Sequence, residues 1–346
     1  MSFLKLRVGA VALALVAALV VAGCGSSSSD SSASSGDTAA SGGGSSSGGA
    51  PETTSLTVGI VGLAADAPIY IANEKGWFRD AGIEVRPQVV GSGAASLAAV
   101  VGNANQIGTG NLLSLVQADA RGLDIRAIAP ANEAAESASD AAHATSAVIV
   151  PRDSPIATVQ DLAGKTIAVN AVKSLGDLTI LQSLQRKGVD TSGIRFVELG
   201  FPDMLTALDS GRVDAIWEVE PFVTAARAEG GRVVDVNFEG TAPRFPLGLY
   251  YATERFIADN PNTIRAFSDV IRRANQYADD NPDEVRRSVL TFTRIPPEAA
   301  RTMALTINAQ DFTQANIDLL GQLMLRQRLV DRLPDMTRVF GPIIGG

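Results

Sequence analysis

Residues 56–61 set Leu56, Val58 and Ile60 at alternate positions, the period of a strand with one buried side. Residues 83–90 repeat that pattern. Between the two runs, Ile69, Ala72, Trp77 and Phe78 fall at roughly helical spacing on one face. Gly76 and Gly82 supply natural helix ends, because glycine takes left-handed backbone angles without a Cβ clash. Strand, loop, broken helix and strand predict a crossover that joins two parallel strands. In such sheets ligands bind beyond the carboxyl ends of the strands. Here that position is the loop 62–68, which holds Asp66 and Pro68.

The same arrangement recurs along the chain. Ser92 and Gly93 stand in GSGAAS, ahead of an apolar run at 97–101. This strand-to-helix junction reads either as a tight turn or as a donor-rich loop for polar oxygens. It lacks the third glycine of a dinucleotide fingerprint. Thr109 and Asn111 close a further short strand before an apolar helix that begins at Leu112. Residues 123–128 read as a strand, and the polar, Ala-rich stretch 131–145 as a loop carrying His143, the only histidine. Residues 146–150 form a strand, taken as the first passage between lobes, and residues 246–252 the return. Ser174 and Asp177 make an S-x-x-D capping box for a helix reaching about residue 186, with Lys173 beside it and Leu175 in its first turn. A strand at 213–217 ends in Trp217-Glu218-Val219-Glu220-Pro221, with Pro221 placed in a first helical turn. Glu218 and Glu220 there either bind a cation or hydroxyls, or complement a helix dipole. Asn260-Pro261 and Asn281-Pro282 each read as an N-cap followed by proline at the first helical position.

The first 54 residues follow other rules. Lys5 and Arg7 precede an apolar stretch at 8–21 that is short for a membrane span, the mark of an export signal over 1–23. It ends Val21-Ala22-Gly23-Cys24, which resembles a bacterial lipobox and implies lipidation of Cys24, the only cysteine. With one cysteine no internal disulfide forms. Residues 24–54 are rich in Gly and Ser, cannot bury enough apolar surface to fold, and read as a tether spanning about 25 to 30 Å.

With 346 residues, the chain is long enough for two lobes. Its net charge is −8, and without the two leader cations 27 basic groups face 37 acidic ones, a net of −10. That balance argues against a nucleic-acid partner, which needs a basic face. One histidine cannot build a multi-ligand zinc site or complete a nucleophile–base–acid set, so no metal, cofactor or catalytic residue is expected.

APIYIANEKGWFRDAGIEV, DLAGKTIAV, QRKGVD and ALDSGRVDAIWEVEPF occur in that order. Over about residues 55–255 they resemble the nitrate/sulfonate/taurine-type substrate-binding proteins of ABC importers, a family that also contains binders of thiamine pyrimidine precursors. The resemblance implies an α/β, type II periplasmic-binding-protein fold. Its first lobe is residues 55–145 plus 246–346 and its second is residues 146–245, joined by two crossing segments around a cleft. It implies ligand contacts at Asp66, Pro68, Ser92, Gly93, Thr109 and Asn111 in the first lobe, and at Lys173, Ser174, Leu175, Trp217 and Glu218 in the second. Arg244 is a candidate anion contact near the return crossing. A monomeric, lipid-anchored receptor on the outer side of the cell membrane follows, delivering a small organic solute to ABC permease subunits.

The ligand stays open between an anion held by Lys173, Arg244 and backbone donors, and a neutral or cationic heterocycle held by Glu218, Asp66 and Trp217. The acidic pair and Asp177 favour an uncharged or mixed-charge solute. Two other classes share the resemblance. One is a pyrimidine-synthesis enzyme acting on its own histidine and a pyridoxal cofactor, with Lys173 as the candidate Schiff-base lysine. The other is a solute-sensing co-receptor without a permease.

Overall fold

The computed structural model describes residues 49–136 and 143–345. The export signal, Cys24 and the tether up to residue 48 lie outside the described residues. One run of elements comprises β1 (Ser55–Ile60), α1 (Ala67–Glu74), α2 (Trp77–Asp80), β2 (Glu84–Val89), α3 (Gly93–Val101), β3 (Ile107–Asn111), α4 (Leu112–Ala120) and β4 (Ile125–Glu133). A second comprises β5 (Ser146–Val150), β6 (Thr166–Val169), α5 (Leu175–Arg186), β7 (Arg195–Glu198), α6 (Phe201–Asp209), β8 (Ala215–Val219), α7 (Phe222–Ala228), β9 (Arg232–Asp235) and α8 (Asn237–Thr241). The rest is β10 (Pro246–Thr253), α9 (Glu254–Asp259), α10 (Pro261–Asp280), α11 (Pro282–Phe292), α12 (Pro297–Thr302), β11 (Ile307–Asn308), α13 (Gln314–Arg326) and α14 (Met336–Phe340).

Two sheets organise these elements, one per lobe. The first has the order β11-β4-β10-β3-β1-β2 and the second β7-β6-β8-β5-β9. β1 pairs parallel with β2 and β3, as the broken-helix crossover predicts, and β10 returns antiparallel between β3 and β4. Leu56, Val58 and Ile60 are fully buried and pack with Phe78 and Phe267. Gly76 sits at φ 75° between α1 and α2, a left-handed turn that lets Trp77 and Phe78 fold back onto that core. The runs read as the two passages between lobes, 146–150 and 246–252, are β5 and β10, each inside a sheet, and the chain crosses just before them, where Ala134 N donates to Phe245 O at 2.9 Å and Arg244 N to Ala135 O at 3.3 Å.

Several elements differ from the sequence pattern, each for a local reason. Residues 131–133, read as loop, complete β4, where Asn132 and Glu133 are buried opposite Gly248 and Pro246 of β10. Their polarity breaks the apolar alternation, but Arg244 faces Glu133 at 2.8 Å. Asn260 and Asn281 do not cap the helices that follow them. Their side-chain amides donate backwards, to Phe256 O and Tyr277 O, and so close the preceding helices. The α10 N-terminus is capped by Glu52, whose carboxylate accepts from Asn262 N and Thr263 N. Glu52 therefore belongs to the folded body, although its sequence context reads as tether. Pro221 lies just before α7, after a cis peptide bond, rather than inside its first turn. Helix α13 packs against α5 of the second lobe, and Gln327 just beyond it donates to Leu178 O at 3.0 Å.

Candidate functional site

The carboxyl ends of strands from both sheets converge on one interlobe cavity of about 110 Å³. On the first-lobe side, β1 runs into Gly62 and Leu63, whose amides both donate to Asp66 Oδ2 at 2.8 Å. This pair of bonds fixes the loop and holds the Asp66 carboxyl at the cavity wall. Burial pushes Asp66 up to about 6, against the lowering effect of the Leu63 and Gly62 amides. At the end of β3, Thr109 is buried in the lining and its Oγ1 has no hydrogen-bond partner among the described residues. Asn111 caps α4 through a 2.8 Å bond from Ser114 N, and its amide reaches across the cleft to Ser174 Oγ at 3.3 Å.

The second lobe contributes an aromatic wall of Phe201, Trp217 and Phe238. The Trp217 indole lies flush against the first turn of α5 because residue 176 is glycine. A Cβ there would stand 2.6 Å from the ring. Its Nε1 donates inward to Ser146 Oγ at 2.8 Å and Asn237 Oδ1 at 3.1 Å, so Trp217 offers the cavity a surface rather than a donor.

Four helices begin at this cavity. Gly93 opens α3, Asn111 caps α4, Leu175 opens α5 and Phe201 opens α6, and all four residues are in the lining. Helix N-termini carry partial positive charge and unpaired amides. Among the described residues the lining otherwise contains two carboxyls, Asp66 and Glu220, and no lysine, arginine or histidine. Burial raises Glu220, with the Thr224 hydroxyl and amide, the Ala304 amide and the Arg227 charge pulling it back. Its Oε1 accepts from Thr224 Oγ1 at 2.7 Å and Ala304 N at 3.0 Å, while its backbone carbonyl accepts from Ala64 N at 3.1 Å. Ala304 and Ala64 belong to the first lobe, so Glu220 both caps α7 and ties the lobes together.

Of the residues expected at the ligand, the cavity thus gathers Asp66, Gly93, Thr109, Asn111, Leu175 and Trp217. The others stand outside its lining. Pro68 is buried in the first turn of α1, and Ser92 caps α3 by accepting from Ala95 N. Ser174 meets the cleft through its bond from Asn111. Lys173 is exposed, in the left-handed region at φ 55°, with its amide on Asp177 and its carbonyl accepting from Gln117. Arg244 is exposed at φ 50° and faces Glu133. Glu218 points away from this cavity, since it alternates along β8 with Trp217 and Val219. The sequence pattern did not single out Asn132, Asn170, Phe201, Phe238 or Thr306. Asn170 and Phe201 had an available signal, because each directly follows a strand end or opens a helix. Thr306 had none.

A family model described as NMT1/THI5 like matches residues 64–285. The chain belongs to this family. Its relatives include a candidate aliphatic sulfonates-binding protein of Bacillus subtilis (strain 168), 27% identical over 231 residues, which are 63% of this chain and 64% of that protein. The taurine-binding periplasmic protein of Escherichia coli (strain K12) is 27% identical over 128 residues, 37% of this chain and 40% of that protein. The matched stretches thus span less than two thirds of either relative. Among solved structures, the alkanesulfonate-binding protein of Xanthomonas axonopodis pv. citri bound to MOPS superposes with a TM-score of 0.68 at 19% identity, covering 85% of this chain and 99% of that one. This NMT1/THI5 like chain therefore shares the two-lobed fold of periplasmic binding proteins. A pyridoxal cofactor does not fit the cavity: no lysine lines it, Lys173 is outside it, and His143 is an exposed residue beside the first crossing.

Proposed function

We propose that this chain is a solute receptor for import, and that its ligand is a compact zwitterionic aminosulfonate of about the size of taurine. The observation that carries this reading is the convergence of four helix N-termini and two carboxyls on one small, largely apolar cavity. Each helix N-terminus favours an anionic group by about 0.3 to 1 kcal/mol, and a sulfonate can accept from several at once. The ammonium group pairs with Asp66, while Leu63, Trp217 and Phe238 cover the short carbon chain. The relatives named for sulfonates and taurine support the class.

In this reading Cys24 carries the lipid, the Gly/Ser-rich stretch tethers the receptor, a monomer works with an ABC permease, and no chemistry is performed. A thermal-shift panel of taurine, ethanesulfonate, nitrate and a thiamine pyrimidine precursor tests the ligand. A saturating ligand at 100 times its Kd adds about 2.7 kcal/mol. Taurine is expected to shift the midpoint most, and a shift confined to nitrate or the pyrimidine would overturn the assignment. Loss of metabolic palmitate labelling in Cys24→Ser tests the anchor.

A further inference from the structure

The residue that alternates with Trp217 opens a different question. Glu218 is 1% exposed, and its Oε2 has no hydrogen-bond partner among the described residues. It lines a second cavity of about 510 Å³, on the opposite side of β8 from Trp217, that adjoins the first at Val61 and Phe201. Leu205, Phe222 and Ala225 of the second lobe form one wall, and the stretch from Phe292 to Arg294 in the first lobe forms the other. A buried carboxyl without a partner is costly unless a donor reaches it. The surroundings here are apolar, and Arg294, at the exposed rim, is the only other charged residue in the lining among the described residues.

We propose that this side cavity is a second binding site, for a primary amine with an apolar body, whose ammonium group pairs with the Glu218 carboxylate. The apolar walls take the body and Glu218 supplies the only acceptor charge. Because the walls come from both lobes, the amine bridges them beside the first cavity, with which this one shares Val61 and Phe201. Burial raises Glu218 well above the ordinary carboxylate range, with no charged neighbour contributing. On binding, the ammonium keeps its hydrogens and donates to the carboxylate, and the Glu218 proton leaves to solvent. Affinity therefore rises with pH, by at most tenfold per unit below the raised pKa.

Isothermal titration of n-hexylammonium into the full chain tests this, at two pH values and in two buffers of different ionisation heat. One site is expected, with proton release at the lower pH. Glu218→Gln is expected to weaken it tenfold or more and to abolish proton release. Ala225→Phe, which fills the cavity from α7, is expected to weaken it as much while leaving taurine binding unchanged. Should Glu218→Gln fail to fold, Ala225→Phe decides. Absence of wild-type binding, equal binding in the folded variants, or displacement of the amine by taurine or hexanoate would each overturn the proposal. Failure of the aminosulfonate reading shows separately, as absent taurine binding in all three proteins.

Discussion

The two walls of the interlobe cavity are built from different materials. The first lobe presents Asp66, Thr109, Asn111 and Asn132, with Asp66 and Asn111 held by short local bonds to backbone amides. The second presents Leu175, Phe201, Trp217 and Phe238 beside Asn170 and Glu220, and turns its one indole donor back into its own core. Both lobes contribute helix N-termini, so the difference lies in the side chains. In the proposed reading, the first lobe carries most of the polar recognition, with Glu220 and Asn170 added by the second, and the aromatic cover comes from the second. The contacts between them, Glu220 with Ala304 and Ala64 and Asn111 with Ser174, then set how firmly the cover closes.

The strongest way to break this division is to remove the cover. Trp217→Ala deletes a buried indole and the N–H that Ser146 and Asn237 accept from, which should cost about 3 to 5 kcal/mol of stability by denaturant unfolding. A loss below about 1 kcal/mol would mean that the second lobe does not depend on this packing. Next comes Asp66. Its folded pKa of about 6 lies above the ordinary 3.8, so its contribution to stability is full below about pH 4 and is lost as pH rises through 6. The span is on the order of 3 kcal/mol, and Asp66→Asn should flatten that part of the stability–pH curve in the ligand-free protein. The same variant should weaken taurine by tenfold or more, because a charged hydrogen bond is worth about 1.5 to 3 kcal/mol, while leaving ethanesulfonate unchanged or tighter.

Smaller effects sharpen the comparison. Glu220→Ala strands the Ala304 and Thr224 amides and should cost about 1 to 3 kcal/mol, with a larger radius of gyration in solution scattering as the lobes part. An unchanged radius would show that the crossings alone hold the lobes. Lys173→Ala should change taurine affinity by less than about twofold, since the side chain is exposed outside the cavity. A tenfold loss would bring Lys173 back to the ligand.

Hydrophobic period made most of the fold legible, because β1, α5 and α10 each bury one face and their residues recur at the matching spacing. The strand-end rule then located the loops at Asp66, Gly93, Thr109 and Leu175. What it could not supply was direction. Glu218 and Trp217 are neighbours in sequence but face opposite sides of β8, and the strand's bounds decide which one meets the cleft. Lys173 and Arg244 looked like anion contacts by charge, yet each sits exposed at a positive φ outside the cavity lining, and Arg244 faces Glu133. Asn260 and Asn281 precede proline as N-caps do, but their amides found nearer acceptors one turn back. Glu52 caps α10 across 210 positions, and no local pattern carries that.

Titration of taurine into the wild-type chain at pH 5 and pH 7 tests the recognition role of the first lobe most directly. In the proposed reading ionised Asp66 pairs with the ammonium group, and its pKa of about 6 makes the ionised fraction about tenfold larger at pH 7. Taurine should therefore bind about tenfold more tightly at pH 7 than at pH 5, and ethanesulfonate should not. Taurine affinity that is flat or falls over that interval would contradict the account.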